Sequence, residues 1–247
     1  MNANKVGYRG RAYSNYATKF MHSGIDFDRT AAKRWAKGYD HYLRRWLPKE
    51  RDAAIADVAC GGGRLLHFFR ERGYANIQGV DISPEQVQLA RQVTPNVAQA
   101  DVLQFLQSCQ ASFDLITGLD IIEHFSKDEA LAFVDSCYQA LKPGGRVVIQ
   151  TPNSDTPWAA YYRYGDITHE IAFHAKSLAN ILQLCGFIQV EPREMGPVPW
   201  GYSVASSVRF VIWQVIRMQL KVWNIVETGN VGTGVYSRVF LISAVRP

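Results

Sequence analysis

Cys60, Gly61, Gly62 and Gly63 form a turn built from small residues, and the acid Asp81 follows it about 20 residues on. Glycine in such a turn lets a backbone come close to a bound cofactor, and the helix start behind it offers unpaired N–H donors. An acid at that distance can accept hydrogen bonds from a ribose diol. The chemistry these residues suit is recognition of a nucleoside. Glycine turns also occur in plain strand-to-helix loops, so the elements around this one matter.

Those elements are legible. The run Ala54–Ala59 suits a buried strand, Leu65, Leu66, Phe68 and Phe69 give the apolar face of a helix, and Ile77–Val80 gives a second strand ending on Asp81. Ser83 as N-cap, Pro84 at the first helical position and Gln86 closing a capping box open the next helix. Further strands are expected at Val97–Ala100, Phe113–Asp120, Arg146–Thr151, Ile188–Glu191 and Val235–Val245. Helices are expected over Lys127–Leu141 and Lys176–Leu184. Near the start, Trp35, Tyr39, Tyr42, Leu43 and Trp46 share a helical face within Thr30–Trp46, closed by Pro48.

The turn is not the G-x-G-x-x-G of a dinucleotide fold: Asp57, Ala59, Gly61 and Gly63 are spaced two by two. This resembles motif I of the class I S-adenosylmethionine-dependent methyltransferases, D/E-x-G-x-G-x-G, with Ala59 where the family has its first glycine. Glu123-His124 after the fourth strand and the string LKPGGRVVIQTPN, Leu141–Asn153, extend the resemblance over residues 50–155. Asp166, Thr168 and His169, followed by Ser177-Leu178 and Gly186-Phe187, are similar to segments of methyltransferases of polysaccharide, antibiotic-sugar and quinone pathways.

The resemblance implies an α/β, Rossmann-like fold with a seven-stranded sheet of order 3-2-1-4-5-7-6, the last strand antiparallel. It implies S-adenosyl-L-methionine as cofactor and S-adenosyl-L-homocysteine as product. The cofactor contacts carried over are Asp57, Ala59, Cys60, Gly61 and Gly63 at the turn, Asp81, Ile82 and Gln86 after the second strand, Asp101 and Val102 for the adenine, and Leu119. Asp101 also reads as a plain helix cap. An N-terminal helical segment closes over the cofactor in this family, which makes Tyr16 and Arg34 contacts to the methionine carboxylate or, more plainly, a packing aromatic and a solvated arginine.

Methyl transfer from a sulfonium is an in-line displacement, so positioning dominates, and an attacking hydroxyl needs a base for its proton. Histidine suits that role near neutral pH. His169 ranks first, with Asp166 or Glu170 to orient it, then His124; His174 reads as packing. Asp120-x-x-Glu123-His124, with His169, also matches a spacing by which some relatives hold a divalent metal, but metal-free relatives carry the same pair, and no metal is the expectation.

The 247 residues, 47% hydrophobic and 20% charged, fit one structural domain. Its expected parts are a helical cap over 1–48, a cofactor-binding core over 49–191, a helical insert over 192–234 and the final strand over 235–247. A net charge of +5 favours anionic partners without choosing among them. Four scattered cysteines, Cys60, Cys109, Cys137 and Cys185, indicate neither zinc nor disulfides, and no signal peptide opens the chain, so the expected location is cytoplasmic. The insert begins as a loop, EPREMGPVPWGY, and continues as a helix over Val204–Val226 with a wide apolar and a narrow basic face. Arg209, Arg217 and Lys221 exclude a membrane span. An acceptor lid, a homodimer contact, a core helix and an interfacial membrane helix remain as readings of it. The acceptor expected is a small molecule, a nucleotide sugar or glycan precursor. The alternatives are a quinone or phenolic hydroxyl at a membrane surface, and, without an RNA-binding module, RNA modification or a non-catalytic cofactor-binding protein.

Overall fold

A glycine turn can present backbone to a ligand only if a strand fixes one side of it and a helix the other. The computed structural model describes residues 8–13 and 26–247 of the chain. A short helix α1 (Tyr8–Tyr13) and the longer α2 (Arg29–Tyr42) precede β1 (Ile55–Val58), α3 (Arg64–Glu71), β2 (Ile77–Asp81) and α4 (Pro84–Arg91). Then come β3 (Val97–Gln99), α5 (Val102–Gln107), β4 (Phe113–Leu119), a 3-10 turn at Ile122–His124, α6 (Lys127–Ala140) and β5 (Leu141–Pro152). The chain continues through α7 (Ala159–Gly165), α8 (Ala175–Leu184), β6 (Ile188–Glu194), α9 (Val204–Thr228) and β7 (Val239–Val245).

The seven strands form one sheet in the order β3-β2-β1-β4-β5-β7-β6. The first five run parallel, and β7 lies antiparallel to both β5 and β6. Alternation along the strands divides the core into two layers. Ile55, Leu115, Val148 and Leu241 face α2 and α3, packing with Tyr39, Leu43, Phe68 and Phe69. Ala56, Ile116, Ile149 and Ile242 face the other way, onto Phe133, Val134, Leu178 and Phe187.

Several boundaries differ from the sequence reading, and β5 starts at Leu141 rather than Arg146, with Leu141 pairing Phe113 across a register shift. β6 continues through Glu191-Pro192-Arg193-Glu194, which was expected to open a loop: Gln189 takes a positive φ of 50°, the register shifts, and Pro192 then pairs with Ile242. β6 is an edge strand, where a missing N–H costs no ladder bond. β7 starts at Val239 rather than Val235, because the Asn153 side chain donates to the carbonyls of Val235 and Ser237 and draws that segment off the ladder. α2 ends at Tyr42, ahead of Trp46, whose buried indole donates to Glu191 from beyond the helix.

Candidate functional site

Local backbone geometry shapes the turn after β1. Ala59 (φ 55°), Gly61 (φ 50°) and Gly63 (φ 84°) all lie in the left-handed region. Alanine at 59 therefore takes the conformation that glycine favours. Gly63 has a second constraint, since a Cβ there would stand 2.9 Å from the Ala90 Cα, so it sets how closely α3 approaches α4. Asp81 braces the turn: its Oδ2 accepts from the Gly61 N–H at 2.9 Å and its Oδ1 from the Ser83 N–H at 2.8 Å. Burial raises its pKa and those bonds oppose the rise.

In front of this turn is a cavity of about 460 Å³, within the range of small-molecule sites. Of the cofactor contacts expected from the sequence, Asp57, Ala59, Cys60, Gly61, Gln86 and Leu119 line it. Sequence reasoning did not assign Trp35, Tyr39, Arg64, Asp120, Gln150 or the stretch Asp26, Phe27 and Asp28 to its wall. The aromatic face of α2 was legible and carried the signal for two of these, Trp35 and Tyr39, which stack at 3.8 Å. Tyr39 donates to the Gln150 side chain at 2.6 Å, and Gln150 donates to Asp120 at 2.8 Å, joining α2 to the ends of β5 and β4. Asp57 is 2% exposed and accepts from the Thr117 hydroxyl at 2.8 Å; burial pushes its pKa up to about 7.

Other expected contacts are placed differently. Gly63, Asp81, Ile82, Asp101 and Val102 are not among the lining residues. Asp101 caps α5, accepting from the Gln104 N–H, and the Val102 side chain is buried in the core. Ile82 is 47% exposed beside Asp81. Arg34 is exposed on α2 away from the cavity wall, and Tyr16 lies outside the described residues. Gln86 does not complete a two-way capping box: Ser83 accepts from its N–H, while its side-chain oxygen lies over Gly62.

The histidines gather just past the end of β4. His124 and His169 meet edge to face with ring centroids 4.8 Å apart, and Glu123 adjoins them. A carbonyl can only accept, so the His169 Nδ1 carries a proton and donates to the Tyr162 carbonyl at 2.7 Å, which leaves Nε2 as its basic nitrogen. The orienting partner of His169 is thus that carbonyl, not Asp166 or Glu170. Asp166 acts on the other ring. Its Oδ1 accepts from the Thr168 hydroxyl and N–H, and the hydroxyl in turn accepts from His124 Nδ1 at 3.0 Å. Burial and the neighbouring His169 lower the pKa of His124. His174, read as packing, caps α8 by accepting from the Ser177 N–H.

Glu123 is 2% exposed; its Oε2 accepts from Thr151, and its Oε1 has no hydrogen-bond partner among the described residues. Burial first, and the Asp120 charge second, raise its pKa well above the carboxylate range. Ligand atoms of Glu123, His124 and His169 lie within 4.8 Å of one another, and Asp120, held by Gln150, is not part of this group. A second cavity of about 10 Å³, with Glu123 and His169 in its wall, has room for about one water or ion. An orphaned buried carboxylate oxygen beside two imidazoles fits a divalent cation.

Comparison with known proteins bears on the family and the fold. Ubiquinone biosynthesis O-methyltransferases are among the curated relatives: that of Idiomarina loihiensis is 37% identical over 105 residues, 40% of this chain and 42% of that protein. That of Alkalilimnicola ehrlichii is 37% identical over 118 residues, 45% of this chain and 47% of that protein. The matched stretch thus spans about half the length of these relatives. Among solved structures, an S-adenosylmethionine-dependent methyltransferase from Archaeoglobus fulgidus superposes with a TM-score of 0.64 at 20% identity, covering 93% of this chain and 97% of the other. A Haemonchus contortus phosphoethanolamine N-methyltransferase, solved with S-adenosylhomocysteine, gives 0.63 at 18% identity over 95% and 60%. At those identities the likeness is one of fold. The model of the methyltransferase domain family matches residues 27–191. With that match and the 3-2-1-4-5-7-6 sheet, the chain belongs to the methyltransferase family, in its class I, S-adenosylmethionine-dependent fold.

Proposed function

We propose that the chain transfers the methyl group of S-adenosylmethionine to a ring hydroxyl of a phenolic or quinone-precursor acceptor. The observation that carries the cofactor reading is the cavity before the glycine turn. Four aspartates line it, Asp26, Asp28, Asp57 and Asp120, against one guanidinium, Arg64, an oxygen-rich wall that can accept from a ligand's ammonium. Asp81, Ile82 and Asp101 lie at the C-terminal ends of β2 and β3, where ribose and adenine would extend.

The acceptor class rests on the relatives. They are named for ubiquinone biosynthesis, so the nucleotide-sugar acceptor expected from the sequence finds no support among them, and the phenolic alternative does. A phenol also suits the site better on chemical grounds. With a pKa near about 10, it loses its proton to an imidazole far more readily than an aliphatic hydroxyl does. His169 Nε2 is the base in this reading. Tyr162 fixes its tautomer, and transfer proceeds in line once the hydroxyl sits behind the methyl group.

The orphaned Glu123 oxygen favours a second reading of the same centre. Glu123, His124 and His169 would hold a divalent cation, and a bound cation supplies a lowered hydroxyl pKa. Purified protein is to be given S-adenosylmethionine with a panel of catechols and nucleotide sugars, with and without chelator, and S-adenosylhomocysteine release measured. The expected result is turnover on a catechol. Chelator-resistant turnover assigns His169 as base, and chelator-sensitive turnover assigns the cation. Turnover on sugars alone contradicts the acceptor class. Asp81→Asn should weaken S-adenosylhomocysteine binding by about 1.5–3 kcal/mol, the scale of hydrogen bonds to a charged group, and unchanged binding would remove Asp81 from the cofactor site.

A further inference from the structure

Helix α9 presents its amphipathic faces the opposite way round from an ordinary surface helix. Three of its polar residues, Ser206, Arg217 and Asn224, are turned inward and anchored, while Arg209, Gln219 and Lys221 stay exposed. Arg217 pairs with Glu194 at 2.6 Å, the Ser206 hydroxyl donates to the Val198 carbonyl at 2.8 Å, and the Asn224 amide donates to the Asn230 carbonyl at 2.7 Å. Trp213 closes over Gly196, where a Cβ would stand 2.9 Å from the indole nitrogen. These contacts fix the rotation of the helix and leave its apolar side outward. Eleven apolar side chains of α9 are between 39% and 83% exposed, from Ile216 to Val204. A monomer rarely shows a contiguous apolar patch beyond a few hundred Å². None of residues 192–234 lines the 460 Å³ cavity, so the face is turned elsewhere than onto that site.

The spacing of the face says what covers it. Val204, Val208, Val211, Val215, Met218, Val222 and Ile225 recur at alternating intervals of four and three over three heptads, all exposed. That 3.5-residue repeat is the seam of a helix that pairs with another helix, and the β-branched valines at 208, 215 and 222 are the knobs such seams use. An interfacial lipid-binding helix instead keeps a row of lysines and arginines on a polar face that meets headgroups, whereas here Arg217 is bound to Glu194 in the body of the protein and only Arg209 and Lys221 remain as exposed bases.

We infer that α9 pairs antiparallel with α9 of a second copy of this chain. About its centre the seam is self-complementary: Val215 faces Met218, Val211 faces Val222 and Val208 faces Ile225 of the other copy. The area is sufficient. A half-cylinder about 37 Å long and 11 Å across presents roughly 600 Å², so two copies remove roughly 1,200 Å², the lower bound of specific interfaces. This inference does not depend on the acceptor or on the cofactor.

Sedimentation velocity of the full chain tests it. The wild type should run as a dimer, and Val215→Asp, at a position already half exposed, should run as a monomer with unchanged circular dichroism. A mixture of Val208→Cys and Ile225→Cys chains should crosslink as mixed dimers under oxidation, while neither chain does so alone. A wild type that stays monomeric, a dimer that survives Val215→Asp, or a monomer that co-sediments with phosphatidylglycerol vesicles would each overturn the inference, the last by naming lipid as the occupant.

Discussion

Asp57 shows how a single residue ties the cavity to stability. Its carboxyl is buried and its folded pKa is pushed up to about 7, whereas an unfolded aspartate titrates near about 3.9. The native state therefore keeps a proton that the unfolded chain releases between those values. Stability from this group is fully present below about pH 4 and falls as pH rises to about 7. Asp57→Asn keeps an oxygen for the Thr117 hydroxyl and removes the titration. Thermal midpoints at pH 5 and pH 8 should fall further in the wild type than in the variant; Asp81 and Glu123, shifted in the same direction, leave the variant a smaller fall. Equal falls in both proteins would show that Asp57 is not the group that titrates. This was not legible in the sequence, because Asp57 reads as a motif acid while its burial depends on Thr117, sixty residues away on β4. The pairing of Asp166 with His124 rather than His169 was hidden for the same reason: Thr168 stands between them in sequence, and only the fold shows which ring it meets.

At the level of elements, local signals were the readable ones. Ser83-Pro84 is a helix start that needs no tertiary context, and α4 begins there. The continuation of β6 through Pro192 was not readable, since it depends on the register of β7 across a bulge at Gln189. Gly63 is where local and tertiary demands coincide, with a positive φ and a neighbour 2.9 Å from the missing Cβ. Gly63→Ala should destabilise the protein by about 1–3 kcal/mol, the cost of overpacking, measured by urea unfolding. Gly73, also at positive φ but with open space around it, is the control: alanine there meets no neighbour, so it should cost less. A Gly63→Ala variant as stable as Gly73→Ala would mean that α3 and α4 do not depend on their close approach.

For the whole molecule, the sheet order was what the family resemblance implied, carried by the glycine turn and the string Leu141–Asn153, and the structure has that order. The direction of α9 was not legible. Its amphipathic pattern is plain in the sequence, but which face meets the body depends on Glu194 at the end of an edge strand. No helix among the described residues is long and apolar enough to cross a membrane. The molecule as a whole places an acid-lined cavity at the C-terminal ends of its parallel strands, with Glu123, His124 and His169 just beyond β4. That arrangement is what the methyl-transfer account requires. It is tested most directly by following the methyl carbon itself: S-adenosylmethionine carrying a 13C methyl group is incubated with the protein and a catechol, and the product is read by NMR. The account predicts a methoxyl carbon on the aromatic ring, absent without the protein. Label that stays on a demonstrably bound cofactor, or that appears on nitrogen or on a sugar hydroxyl in a mixed incubation, would contradict it.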